Sequence, residues 1–543
     1  MQDDSFDRAQ RLIHRLRERL PQPTRRDVIR AAFAFSAAGI AASLLPKPAW
    51  ASGFEPPRFT GYPFTLGVAS GYPRADGVSL WTRLAPEPLQ PDGGMVPDMI
   101  HLGWEIASDD KFAKVVHKGS VRAVPELAHS VHVDVRGLEP GRWYWYRFTC
   151  GDEVSPIGRT RTAEAIGAKL DRLRFAVASC QHYEQAYFSA HRHLLDENLD
   201  LMFFVGDYIY ESNWGDDLVR RHVGPEADTL ARYRVRHAQY KTDCDLQQIH
   251  AAVPWAFTWD DHEVENDYAG AQSENLDPSF LLRRAAAYQA FFEHMPVPLT
   301  MRPHANEMRI YDTLDYGDLA RFYLVDNRQY RAPQVCPDPY KGGGSTDVMA
   351  SQCPELKDPS RSMLGATQER WLEQRFAASR AQWNVIAQQT IFSRFGGLRD
   401  DEMSAWTDGW DGYPATRERV VTSLQAHAVR NPVILGGDIH ATVVANVHRE
   451  AGNPESAKVA AEFCGTSLAS QGWSEDMFNP RLPQNPHVQF GNTTKRGYIA
   501  FDIGHRGCDA RLRVLDNEKQ RDTGITTLAS FRVEDGKAGV DKV

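Results

Sequence analysis

Hydrophobic and polar positions alternate in two different rhythms along the chain. Between about residues 58 and 165, short β-rich runs are separated by Gly/Pro turns: FTLGVASGYPRADGVSLWTRL, IHLGWEIASD, AHSVHVDVRGL and RWYWYRFTCG follow one another at regular spacing. The tight turn Leu138-Glu139-Pro140-Gly141 precedes the last of them. This pattern predicts an all-β immunoglobulin- or fibronectin-like sandwich over 58–165. From about residue 172 the period changes. The apolar strands LRFAVAS, LMFFVG, WAFTW, ARFYLVD, WNVIAQQ and PVILGG are interleaved with amphipathic helices such as TQERWLEQRFAASR and TRERVVTSLQAHAV. Strand, loop and helix in alternation predict a layered α/β domain over 172–520, with 521–543 left as a C-terminal tail. The Pro/Gly-rich stretch from about 333 to 360 is expected on the surface.

The N-terminal segment belongs to neither rhythm. Thr24-Arg25-Arg26-Asp27-Val28-Ile29-Arg30 is a twin-arginine pattern, an Ala-rich apolar run covers 31–45, and Pro48-Ala49-Trp50-Ala51-Ser52 offers a small-x-small cleavage point after Ala51. Basic, apolar and cleavable regions in that order predict a twin-arginine (Tat) signal peptide over 1–51. The Tat translocase is then the partner in export, and the destination is periplasmic or secreted. The apolar run falls short of the roughly 20 residues that span a bilayer, so no stable membrane span is expected. The twin-arginine route carries folded proteins and suits chains loaded with a metal or redox group before export.

Charge and cysteine content narrow the classes further. Without residues 1–51 the chain carries 53 Lys+Arg and 66 Asp+Glu, a net charge of −13. An acidic surface argues against nucleic acid as a partner. The seven cysteines are an odd number, so at least one has no intramolecular partner. Cys336 and Cys353 bracket the Pro/Gly-rich loop and are the candidates for a disulfide.

The chemistry gathers where apolar strands stop. FAVAS ends at Cys180-Gln181-His182, MFFVG at Asp207 and Tyr210, AFTW at Asp260-Asp261-His262-Glu263, and VILGG at Asp438-Ile439-His440. Ligands of α/β sheets collect at the carboxyl ends of strands. Taken singly, each residue has an ordinary use: Asp207 as a cap or turn residue, Tyr210 as a packed ring, Cys180 as a small core residue, Asp438 and His440 as a hydrogen-bonded pair. The acidic loop resists that treatment, because every residue of 260–267 except Val264 is acidic, amide or imidazole, directly after an apolar run. Together the four ends offer thiolate, phenolate, carboxylate, amide and imidazole. Oxygen-rich sets suit hard cations such as Ca2+ or Mg2+, and thiolate with phenolate and imidazole suits a transition metal such as iron. Adjacent cations activate phosphoryl chemistry. Weaker candidates are His182 beside Cys180, Asp408, Trp410 and Asp411 at the site mouth or in a turn, and Arg328 in DNRQYR as a phosphate clamp or a structural partner of Asp326.

The ordered set LGVASGYP…GVSLWTRL, YWYRF…SPIGRTRT, FAVASCQ, VGDYIYE, WDDHEVEND, LVDNRQYR, LGATQERWL and VILGGDIHA resembles the PhoD-like alkaline phosphatases, a branch of the metallophosphoesterases. The resemblance covers almost everything after residue 51 and includes a PhoD-type N-terminal sandwich. It implies a four-layer αββα metallophosphoesterase sandwich and a mixed centre of Fe3+ and two Ca2+. On the matching motifs, Cys180, Asp207 and Tyr210 would ligate iron, with Asp207 bridging toward calcium. Asp438 and His440 match Gly-Asp-x-His and complete the metal set. Asp261 stands where relatives have the Asn of Gly-Asn-His-Glu and is a calcium candidate, as is Asn266. His262 matches the His of that motif and is the candidate for protonating the leaving group. Ser179-Cys180-Gln181 replaces the Asp-x-His of most metallophosphoesterases, and Tyr72 stands outside the expected site where the branch often has Asp.

The implied activity is that of an exported alkaline phosphatase acting on a small phosphate monoester, and on some diesters, by metal-assisted attack of an oxygen on phosphorus. A calcium-dependent phospholipase D or phosphodiesterase on the same scaffold is the rival. A non-catalytic exported binding protein would leave the donor sets incomplete. An exported oxidoreductase would need a dinucleotide glycine fingerprint or a haem Cys-x-x-Cys-His, and the chain has neither.

Overall fold

Strands buried on both faces dominate the centre of the molecule. The computed structural model describes residues 59–543, so the signal peptide expected over 1–51 lies outside the described residues. The six apolar runs become the strands Arg172–Ala178, Leu201–Val205, Trp255–Thr258, Ala320–Leu324, Trp383–Ala387 and Pro432–Gly436. The two amphipathic segments become the helices Gly365–Ala378 and Pro414–Ala426. Leu201–Val205 is buried along its whole length, as a strand covered on both faces must be.

Two large sheets result. The first has ten strands in the order Asp541–Lys542, Ile525–Glu534, Gly507–Leu515, Gly497–Gly504, Arg172–Ala178, Leu201–Val205, Trp255–Thr258, Val68–Arg74, Gly77–Arg83 and Ser130–Arg136. The second has seven: Asp312–Tyr316, Ala320–Leu324, Trp383–Ala387, Pro432–Gly436, Lys458–Cys464, Thr442–His448 and Val488–Asn492. The sheets meet through Phe175 and Phe203 of the first and Phe322 of the second, with ring centroids 5.1 and 4.7 Å apart. Helices Leu230–Lys241, Cys244–Ala252 and Phe280–His294 share the apolar core of the first sheet through residues such as Tyr240, Ile249 and Phe291. Gly365–Ala378 and Pro414–Ala426 bury Leu372, Phe376, Val421 and Leu424 against Tyr323, Ile386 and Ile434 of the second. Among the described residues no helix is long and apolar enough to cross a membrane.

The ends of the chain correct the sequence-based outline. Three N-terminal strands do not stand apart: Val68–Arg74 runs parallel to Trp255–Thr258 and carries Gly77–Arg83 and Ser130–Arg136 into the first sheet. The other N-terminal strands form a separate five-stranded sheet built on Ile100–Ala107 and Trp143–Cys150. Trp143–Cys150 alternates strictly, with Tyr144, Tyr146, Phe148 and Cys150 buried. These residues share a core with Val78, Leu80, Val131 and Val133 of the joined strands. At the other end, 521–543 is not a tail. Ile525–Glu534 is a full strand of the first sheet and places Phe531 and Val533 in its core. Cys336 and Cys353 form a disulfide across 17 residues of the surface loop, and Cys150, Cys180, Cys464 and Cys508 are buried free thiols.

Candidate metal centre

Three neighbouring parallel strands of the first sheet end side by side and release Cys180, Asp207 and Asp260–Glu263. Pro432–Gly436 of the second sheet releases Asp438 and His440 toward them. Cys180, Asp207, Asp438 and His440 all take left-handed backbone, with φ of 58°, 56°, 66° and 51°. Non-glycine residues adopt that region at a cost and only where the surroundings fix it. Here interlocked main chain does so. The Cys180 N–H donates to the Gly206 carbonyl, Gln181 N–H to Asp207, and Ala469 N–H to Cys180. The Glu263 carboxylate accepts from the N–H groups of Asp207, Tyr208 and Asp260 at 3.1, 2.6 and 2.9 Å, tying two strand ends together. Gly206, at φ 113°, must be glycine: a Cβ there would lie 2.4 Å from the Cβ of Asp260.

The donor atoms form overlapping groups. Those of Cys180, Asp207 and His440 lie within 4.8 Å of one another, as do those of Asp207, Asp261 and His262 and those of Asp261, Asp267 and Asp408. Asp207 is common to the first two. The Tyr210 hydroxyl donates to Asp207 Oδ2 at 2.8 Å and lies 2.9 Å from His440 Nε2 and from the Ser470 hydroxyl. His440 Nδ1 donates to the Gln471 carbonyl at 2.6 Å, which leaves Nε2 with its lone pair toward Tyr210. Asp207 Oδ1 and Asp438 Oδ2 are buried with no hydrogen-bond partner. Burial, then neighbouring carboxylates, pushes the carboxyls of Asp207 and Asp438 well above the usual range. Burial likewise raises the Cys180 thiol and the Tyr210 phenol. Such groups give up their protons when a cation replaces them. Orphaned carboxylate oxygens and a thiol–phenol–imidazole set fit metal ions, a transition metal at the first group and a harder cation at the carboxylates.

His262 is held by Glu211, a residue the sequence reading passed over. His262 Nδ1 donates to Glu211 Oε2 at 2.7 Å, and Glu211 Oε1 accepts from the Asn266 N–H at 3.0 Å. Burial works against a charged ring, but Glu211 first, then Asp261 and Asp207, outweigh it and hold the imidazole pKa well above its ordinary value. The only signal for Glu211 was its place directly after the apolar run that ends in Tyr210. Arg328 is a buried cation beside these carboxylates. It pairs with Asp260 and, at 2.7 and 2.9 Å, with both oxygens of Asp408. Its Nη2 has no hydrogen-bond partner and lies 3.7 Å from Asp261 and 3.8 Å from Asp438.

The family model described as PhoD-like phosphatase matches residues 175–512, and the one described as PhoD-like phosphatase, N-terminal domain, matches residues 49–164. The chain belongs to the PhoD-like phosphatase family. It is 44% identical over 499 residues to alkaline phosphatase D of Bacillus subtilis (strain 168), covering 90% of this chain and 83% of that protein. It also matches a solved structure titled "Structure of PhoD" at 43% identity with a TM-score of 0.85, over 90% of this chain and 93% of that one.

Within this PhoD-like phosphatase the weaker candidates have surroundings of their own. Asn266 donates from its side-chain amide to Glu274 at 3.3 Å and from its N–H to Glu211. Arg328 is fully buried and pairs with Asp260 and Asp408; Asp326 meets only its backbone N–H. Asp408 is buried, not at a mouth, and receives Arg328, Arg331 and Gln334. Trp410 donates to Gln388, and Asp411 pairs with Arg417. His182 is buried. With Glu184 and His222 it makes another compact donor group, but His222 is already committed between Asn213 and the Tyr240 hydroxyl. Tyr72 lies away from the donors and donates to the Phe257 carbonyl.

Proposed function

We propose that the chain is an exported enzyme that hydrolyses small phosphate monoesters, and some diesters, by metal-assisted attack of an oxygen on phosphorus. The observation that carries the reading is Asp207, one carboxylate shared by a thiol–imidazole group and a carboxylate–imidazole group. Family membership and the named relative support phosphatase chemistry, and no observation favours the phospholipase D alternative. The two large sheets with helices outside them support a four-layer αββα arrangement.

Cys180, Asp207, Tyr210 and His440 would hold ferric iron and Asp207, Asp261 and Asp438 calcium, cations that when bound polarise the phosphoryl oxygens and offset the charge growing at phosphorus. The protein does the rest. Glu211 fixes the tautomer of His262 by taking its Nδ1 proton in a hydrogen bond. His262 Nε2 has no hydrogen-bond partner among the described residues, and the side chain is 11% exposed, so this nitrogen is the one free to give a proton to the departing alcohol oxygen. Positioned proton transfer of this kind is worth roughly 10²–10⁴-fold in rate. Arg328 acts behind the site, where it balances Asp260 and Asp408 and so keeps the buried carboxylates compact.

Metal analysis of enzyme purified without chelator, together with turnover of p-nitrophenyl phosphate, tests the assignment. Tyr210→Phe and Cys180→Ala should each lower bound iron and turnover by about tenfold or more. Full activity with unchanged metal in both variants would sink it. Export through the twin-arginine pathway follows from residues 24–51 and predicts a mature N-terminus at Ser52. Protein recovered only from the cytosol with that segment intact would contradict it.

A further inference from the structure

We infer that Trp214 is the wall against which the alcohol part of the substrate lies, and that it favours phosphate esters whose alcohol carries a flat, π-bearing group. The inference rests on the phosphatase reading above and extends it to substrate choice.

The donors of the cluster are unequally exposed. Cys180, Asp207 and Tyr210 are at most 1% exposed, whereas the side chains of His262, Asp438 and His440 are 11%, 13% and 13% exposed. A phosphate therefore enters past the two imidazoles, and its ester oxygen and alcohol face that edge. Trp214 stands there, 37% exposed. Its indole is parallel to the His440 imidazole within 2°, with centroids 6.1 Å apart. It also meets His182 edge-on at 5.3 Å and lies 6.1 Å from the Tyr210 ring. It is thus a large exposed aromatic residue beside the His440 and Tyr210 rings of the centre and the neighbouring His182 ring.

The backbone that carries the indole is tied to the centre. Gln185 Nε2 donates to the Trp214 carbonyl at 3.0 Å, and Gln185 Oε1 accepts from the Gln471 N–H at 2.6 Å. The Gln471 carbonyl in turn accepts from His440 Nδ1. One chain of hydrogen bonds therefore sets the indole loop and the imidazole relative to each other. Farther along the loop, Lys519 pairs with Asp217. An aromatic face beside the ester rewards a planar partner, through stacking, and gives a small hydrophilic alcohol nothing comparable. Among the described residues of the centre no other side chain offers an exposed ring of that size, since Tyr210 is fully buried.

The test uses metal-loaded enzyme with phenyl phosphate and glycerol 2-phosphate as probes, on the wild type, Trp214→Ala and Trp214→Phe. Trp214→Ala should raise KM for phenyl phosphate roughly 5–20-fold while leaving both kcat and KM for glycerol 2-phosphate within about twofold. Trp214→Phe should recover most of the phenyl phosphate KM. Bound metal should be the same in all three. Equal losses on both esters, lost metal in Trp214→Ala, or no change on either ester would overturn the inference and leave Trp214 as packing for His440. A wild-type enzyme that hydrolyses neither ester would instead overturn the phosphatase reading itself.

Discussion

Lys241 is a lysine placed where charge is costly. It is 2% exposed and has no ion pair among the described residues; its ammonium faces the rings of Trp81 at 4.4 Å and Tyr208 at 5.4 Å. Burial pushes its pKa down to about 7. His237, His250 and His294 around it are held well below the ordinary imidazole range, by burial first and then by cations including Lys241. The sign follows from linkage. Below pH 7 the lysine is charged both folded and unfolded, so the full cost of burying the charge is present; above the unfolded value of about 10.5 it is neutral in both and the cost is gone. Stability should therefore rise with pH across that window. Lys241→Met should stabilise the fold by on the order of 2–4 kcal/mol at pH 6, less what the Trp81 face returns, and by nothing near pH 11. Melting curves of both proteins at pH 6, 8 and 10 check this; parallel profiles would refute it. The same scale shows what sequence could and could not reveal. Asp207 and Tyr210 stood out as candidates because an apolar strand ends at them and three other strands end in polar clusters. Glu211 did not, and Asp408 stood out only as a residue of a site mouth or turn, because each finds its partner more than fifty residues away, His262 in one case and Arg328 in the other.

At the scale of elements, strands buried on both faces announce themselves as short apolar runs, and all six were placed from pattern alone. The antiparallel strands near the C-terminus were not. Ile525–Glu534 buries alternate residues only in its second half, so ITTLASFRVE reads as polar. Its identity comes from pairing with Gly507–Leu515, which no local pattern encodes. Deleting 521–543 should thus remove far more than a tail. Phe531, Val533 and Val540 leave the core, and the paired edge of Gly507–Leu515 is bared. Each fully buried side chain of this kind contributes roughly 1.5–3 kcal/mol, and an exposed edge invites aggregation. The truncated chain should be largely insoluble, or melt well below the full chain; wild-type solubility with an unchanged melting temperature would show the strand to be dispensable.

At the scale of the molecule, the donors converge because neighbouring parallel strands of one sheet and a strand of the facing sheet all release their carboxyl ends into the same space. The sequence pattern foretold the strands and their polar ends, but the joining of N-terminal strands to the first sheet depends on a parallel contact between Gly71 and Trp255, far apart in the chain. The left-handed backbone at Cys180, Asp207, Asp438 and His440 has a further consequence for the energetics of the whole fold. A denatured chain visits that conformation rarely, and at four separated positions together almost never. The denatured state is thus a poor chelator, and cations at this centre discriminate between native and unfolded forms almost completely. Their binding free energy then passes undiluted into folding: a site held at a hundred times its Kd adds about 2.7 kcal/mol. The melting temperature should track free cation concentration and fall on chelation, and a melting temperature indifferent to chelator would show that the centre forms without help from its ions.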